Sequence, residues 1–172
     1  IPLVQPLAPP FERFEALFRP CWESSQLSNM GPLHQELEAA LARRLGAPLT
    51  LVSNGTLALV LALRALGLTN GEVITTPFTF AATILAISLA GLTPKADIDN
   101  ETLCLSPLET EKAITPATCA VLPVHVFGRI CDVASFDSLS REYGLKVVYD
   151  GAHAFDRREE GLPIAQYGDA TA

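Results

Sequence analysis

The chain has 172 residues, is 49% hydrophobic with a mean hydropathy of +0.29, and carries only 18% charged residues. Those figures exclude disorder, collagen and coiled coil, and they predict one domain or two small ones around a real core. A net charge of −7 and a pI of about 4.9 argue against a nucleic-acid or anionic-membrane surface, while a local basic pocket stays open.

Residues 1–32 hold Pro2, Pro6, Pro9, Pro10, Pro20 and Pro32 and read as an irregular arm. Leu33, Leu37, Leu41 and Leu45 recur every four residues and predict an amphipathic helix that Gly46 ends. From there strands and helices are expected to alternate five times. The apolar run 49–52 reads as a strand, 56–66 as a buried helix closed by Gly67, and 73–76 as a second strand. A helix over 80–90 ends at Gly91, and 93–98 is a weaker strand. Ser106, Pro107 and Glu109 form a capping-box start for a helix reaching Ile114. Residues 118–124 are a β-branched strand, Asp132 caps a helix ending at Gly144, and 145–149 is the last strand. Nothing regular is expected between Gly161 and Ala172.

Residues 73–94 carry no charge and match a membrane span in length. Their many threonines and Pro77 favour a strand, a turn and a buried helix instead, so no membrane segment is expected. Cys21, Cys104, Cys119 and Cys131 are widely spaced without a C-x-x-C pair, which predicts free thiols in a reducing compartment. No basic, signal-like segment opens the chain, so a cytoplasmic protein is expected.

Alternating strands and helices imply a mainly parallel sheet covered on both faces. In such α/β folds ligands bind beyond the carboxyl ends of the strands, which directs attention to the residues that follow each strand. Ser53-Asn54-Gly55-Thr56 places a helix start after an apolar run, and the free N–H groups there suit a phosphate. It is neither a P-loop nor a dinucleotide fingerprint, and a plain capped helix start explains it equally. Asp150 ends an apolar strand at the mouth of the sheet. An acid there can hold a metal, a ribose hydroxyl or a protonated ring nitrogen, or can simply cap the strand; His153 follows three residues on. Phe78 and Phe80 flank Thr79, as core residues or as a surface for a cofactor ring. His125 reads as a core histidine or a ligand. Cys119, His125 and Cys131 lack zinc spacing, so no metal site is expected. The run from Asp97 to Thr102 imitates a phosphatase D-x-D-x-T, but with the threonine one place late.

Taken together, several segments resemble the DegT/DnrJ/EryC1/StrS family of nucleotide-sugar aminotransferases. They are Ser53-Asn54-Gly55-Thr56, Val73-Ile74-Thr75-Thr76-Pro77-Phe78-Thr79-Phe80-Ala81-Ala82-Thr83, Ala96-Asp97-Ile98-Asp99, Pro123-Val124-His125-Val126-Phe127-Gly128, Val147-Val148-Tyr149-Asp150-Gly151-Ala152-His153-Ala154-Phe155 and Tyr167-Gly168-Asp169-Ala170. The resemblance implies a pyridoxal 5'-phosphate (PLP) enzyme with a fold type I aminotransferase large domain over residues 33–172, incomplete, its small C-terminal domain outside this chain. It implies that Gly55 and Thr56 hold the cofactor phosphate, that Phe80 stacks on the pyridine ring, and that Asp150 pairs with the pyridinium nitrogen. His153 is then expected beside the phenolic oxygen, and Gly151 stands where Ala is frequent. The family's Schiff-base lysine falls after the Gly-Asp-Ala motif, and neither Lys95, Lys112 nor Lys146 matches it. The 172 residues alone are therefore expected to be inactive. The implied reaction moves an amino group, from glutamate, onto a nucleotide-linked keto-sugar such as a dTDP-4-keto-6-deoxyhexose, in a homodimer. Two alternatives are a sugar 3-dehydratase using the amino form of the cofactor and a non-catalytic domain that binds a cofactor or partner.

Overall fold

The computed structural model describes residues 7–28, 30–96 and 101–172. Contacts divide the chain into two compact units, one of residues 1–43 with 49–51 and the other of residues 44–48 with 52–172.

The first unit is more regular than its prolines suggest. Helix α1 runs Phe11–Glu23 and helix α2 begins at Pro32 and ends at Leu45. Pro9 and Pro10 precede α1, and Pro20 falls near its end, where few later N–H groups depend on it. Phe11, Phe14, Phe18 and Trp22 stand three or four residues apart, so their rings line up along one face of α1 at centroid spacings of 6.2, 5.7 and 6.3 Å.

In the second unit, α3 spans Gly55–Ala65, β1 Glu72–Thr75, α4 Ala81–Leu89 and β2 Thr93–Ala96. Then come α5 Pro107–Ala113, β3 Thr118–Leu122, α6 Val133–Tyr143 and β4 Lys146–Tyr149. The short pair β5 Arg158–Glu159 and β6 Leu162–Pro163 forms a separate antiparallel ribbon, and β7 is Ala170–Thr171. The expected caps Ser106 and Asp132 are present, their side chains accepting from the N–H groups of Glu109 and Ser135, and Asn54 caps α3 by accepting from Leu57 N–H.

The main sheet has the order β2-β1-β3-β4-β7, and every pairing is parallel. β1, β3 and β4 each end in three buried residues, as strands covered on both faces must. Connections that follow the usual right-handed rule put α4 on one face and α5 with α6 on the other. The packing agrees, since α3 lies against α4 and α5 against α6.

Among the described residues the sheet has five strands, but not the five expected. Residues 49–52 are not a strand: the Leu51 N–H goes to Glu38 Oε1 at 2.8 Å rather than to a ladder. The fifth strand is β7, in the segment expected to be irregular. Asp169 secures it, its N–H donating to Val147 O and its Oδ2 accepting from Val147 N–H. Gly168 precedes it at φ +71°, and a Cβ there would lie 2.8 Å from Val147 O, so this turn requires glycine. Asp97, Ile98 and Asp99, the core of one expected motif, lie outside the described residues.

The core carries one buried histidine. His125 is fully buried, stacks on Tyr149 with centroids 4.9 Å apart, and accepts the Cys131 N–H at Nδ1. Its Nε2 has no hydrogen-bond partner among the described residues. Cys21, Cys104 and Cys131 are buried and Cys119 is half-buried. Burial pushes the His125 pKa from 6.5 down to about 4, against the opposing pull of the Asp150 carboxylate. The unfolded chain therefore takes up a proton between pH 6.5 and 4 that the folded one refuses. Stability is full above that window and falls on acidification by about 3 kcal/mol from this group. Urea denaturation from pH 7 to pH 4.5 is expected to show the loss in the native chain and a shallower one in His125→Asn, where an amide replaces the titrating ring.

Candidate functional site

Strand order reverses between β1 and β3, since the chain goes outward from β1 to β2 and then returns to β3. Such a switch point opens a crevice beyond the strand ends. A cavity of about 370 Å³ lies there, lined by the segments after β1, β3 and β4, including Phe78, Phe80, Phe127, Asp150 and His153. Four residues singled out from sequence, Phe78, Phe80, Asp150 and His153, thus share one space.

Asp150 is the buried acid of the cavity, with 8% of its surface exposed. Its main chain is fixed by the neighbouring strand, the Asp150 N–H donating to Pro123 O and the Asp150 carbonyl accepting from His125 N–H, each at 3.0 Å. Its carboxylate is held at both oxygens. Thr83 Oγ1 donates to Oδ2 at 2.8 Å, and the Ala152 N–H donates to Oδ1 at 3.2 Å. Thr79 Oγ1 lies 2.7 Å from Thr83 Oγ1. Because the single Thr83 proton is committed to Asp150, Thr79 supplies the proton of that second bond. Each carboxylate oxygen keeps a further lone pair for a ligand. Sequence reasoning missed Thr79 and Thr83 as a pair, although their spacing of four residues across the start of α4 places both on one face.

The aromatic side chains are not core. Phe80 is 77% exposed and Phe127 equally so, while Phe78 is 40% exposed and meets Phe127 edge-on with centroids 6.0 Å apart. Large apolar rings left in solvent at a cavity mouth are suited to covering something flat. Phe127 stands in a segment picked out from sequence, with no role assigned to it there.

Gly55 and Thr56 do not line this cavity. They open α3, which packs against β4, the strand that Asp150 follows, and against its neighbour β7. Asn54 takes the Leu57 N–H, and the N–H groups of Gly55 and Thr56 have no partner within the helix. A Cβ on Gly55 would meet nothing within 4 Å, so the space over this helix start is open. At Gly151, by contrast, a Cβ would come within 2.9 Å of Thr171 Cγ2, so the frequent Ala is not freely accommodated here. Lys95, Lys112 and Lys146 are engaged elsewhere, with Glu72, Glu109 and Asp169, and none lines the cavity. Among the described residues no group of His, Cys, Asp and Glu has the arrangement of a metal site, and no helix is long and apolar enough to cross a membrane.

The architecture is that of an aminotransferase large domain. DesI, solved in the presence of its TDP-sugar product, matches with a TM-score of 0.90 at 38% identity over 96% of this chain and 43% of its own. The sequence profile of the DegT/DnrJ/EryC1/StrS aminotransferase family matches residues 11–172, and the chain belongs to that family. A dTDP-4-amino-4,6-dideoxy-D-glucose transaminase of Shigella dysenteriae is 43% identical over 169 residues, 97% of this chain and 46% of that protein. NtdA of Bacillus subtilis, solved with bound cofactor PMP, matches with a TM-score of 0.78 at 32% identity over 87% of this chain and 36% of its own. The chain spans about half the length of the curated relatives it matches.

If Thr83 holds the carboxylate as the distances indicate, Thr83→Val, which keeps the shape and removes the hydroxyl, will lower the unfolding free energy by about 1–3 kcal/mol. Thr83→Ser will recover most of it. Paired urea titrations distinguish this from an incidental contact, for which both variants would match the native chain.

Proposed function

We propose that this chain is the cofactor-binding large domain of a PLP-dependent aminotransferase acting on a nucleotide-linked keto-sugar, with glutamate as amino donor. The observation that carries the reading is Asp150: a nearly buried carboxylate at the switch point, held by Thr83 and Ala152 with lone pairs to spare.

The residues present suit the cofactor. A carboxylate stabilises a protonated ring nitrogen, exposed Phe80 offers a face for a planar ring, His153 offers a ring nitrogen to an oxygen, and the open helix start at Gly55 and Thr56 offers N–H donors to a phosphate. When bound, PLP supplies an electron sink that allows an amino group to pass between donor and sugar. Asp150 maintains the ring-nitrogen proton, Phe80 fixes the ring plane, and Gly55 and Thr56 anchor the phosphate. Thr79 and Thr83 keep the Asp150 carboxylate in one orientation.

The amine that such an enzyme uses for covalent attachment and proton transfer would come from outside these residues, since the three lysines are committed elsewhere. The sugar specificity follows from relatives whose names specify a dTDP-linked amino sugar. A homodimer in the cytoplasm fits the same reading. Leu57 and Leu61 on α3 and Leu85 and Leu89 on α4 are exposed on two helices that pack together, which suits contact with another subunit.

The test is direct. The whole protein carrying this segment, incubated with L-glutamate and a dTDP-4-keto-6-deoxyhexose, is expected to yield the amino sugar and 2-oxoglutarate in equal amounts. Asp150→Asn will lower turnover by about 100-fold or more while the fold persists, and Phe80→Ala will weaken PLP retention on dialysis by about fivefold. Undiminished turnover in Asp150→Asn, or no retention of PLP by the native protein, would overturn the reading.

A further inference from the structure

The loop after β3 makes a strained turn against His153. Phe127 has φ +51°, a left-handed conformation that bulky residues rarely adopt. Gly128 follows at φ +78°, and a Cβ there would lie 3.0 Å from the His153 carbonyl oxygen. The main chain of the turn is therefore pressed against the main chain of His153. The side chains meet as well, the rings of Phe127 and His153 lying 5.8 Å apart and 5° from parallel.

That geometry brings one polar group to bear. The Phe127 N–H donates to Nδ1 of His153, with the nitrogens 3.3 Å apart. A ring nitrogen that accepts from an N–H cannot carry a proton itself, so in the neutral imidazole the proton sits on Nε2. Strain of this kind persists only where the surroundings over-determine the backbone. Here the over-determination comes from the Phe127–His153 ring contact, the hydrogen bond and the close approach at Gly128.

We propose that Phe127 is a positioning residue whose main-chain N–H fixes the tautomer of His153, so that the imidazole presents an Nε2–H donor to the cavity it lines. This rests on the reading of His153 as a cofactor contact. The acceptor would be an oxyanion, and the phenolic oxygen of PLP is of that chemistry. With the opposite tautomer, Nε2 would offer a lone pair instead and would repel such an oxygen. The side chain of Phe127 serves as the weight that holds the turn, and the backbone N–H is the working group.

The tautomer is read by nitrogen NMR on the histidine-labelled native protein without PLP, at a pH where the ring is neutral. The His153 signals, assigned by their absence in His153→Gln, are expected to be those of the Nε2–H form. An Nδ1–H form or an even mixture would overturn the proposal, whatever happens in the variants. Incorporation of phenyllactate at position 127 replaces the N–H by an ester oxygen and keeps the ring. It is expected to move the population toward Nδ1–H and to weaken PLP binding about fivefold. An unchanged tautomer in a folded ester protein, or a changed tautomer with unchanged PLP affinity, would overturn it. Phe127→Asn, which keeps the N–H and tolerates the left-handed backbone, is expected to retain the native tautomer. If the native protein fails to bind PLP at all, the cofactor reading falls, and the tautomer is still decided by the NMR signals alone.

Discussion

A carboxylate brought to the end of a buried strand and held there at both oxygens is the constraint around which the second unit is organised. Asp150 is nearly buried and accepts from Thr83 and Ala152. Burial without such partners would cost far more than the bonds return, because the charged form loses its water. The two donors come from α4 and from the turn after β4, so they hold the acid only when β1 and β4 have been placed in one sheet. The parallel order β2-β1-β3-β4-β7 does that, and it leaves the switch point open beside the same acid.

His125 shows what the arrangement demands of its neighbours. Its main-chain N–H supports the Asp150 carbonyl, while its ring is sealed between Tyr149 and the Cys131 N–H. A charge on that ring would pull on Asp150, yet burial keeps the ring neutral down to about pH 4. The carboxylate thus faces the cavity with its charge uncancelled from behind. The front of the cavity is finished by rings that are exposed rather than packed, Phe80 and Phe127. A core that buries small β-branched strand residues while leaving these large rings in solvent is organised to receive something at its mouth.

Much of this was legible in the sequence where a local signal and its structural consequence coincide. Ser106 and Asp132 each stand before a helix and cap it, because a short polar side chain three residues ahead of an orphan N–H has little else to do. Asp150 and His153 were legible because strand ends in parallel sheets meet ligands. Gly55 and Thr56 were legible as a helix start, but nothing in the sequence could show that they stand apart from the cavity lining. The failures have equally local causes. Residues 49–52 have strand composition, yet the Leu51 N–H found Glu38. β7 is too short to carry a period, and what holds it is Asp169 gripping Val147 from a distant part of the chain. The helix α1 was hidden by proline content although its ring spacing announced it. Phe127 stood in a segment picked out from the sequence, but its left-handed backbone leaves no mark in the residue type.

The most direct measurement is the protonation of the cofactor's ring nitrogen, followed by nitrogen NMR with PLP labelled at that atom and bound to the protein at mildly alkaline pH. The account predicts a protonated pyridinium signal in the native protein and its loss in Asp150→Asn at equal occupancy. An unprotonated ring nitrogen in the native protein, or a pyridinium signal that survives Asp150→Asn unchanged, would contradict it.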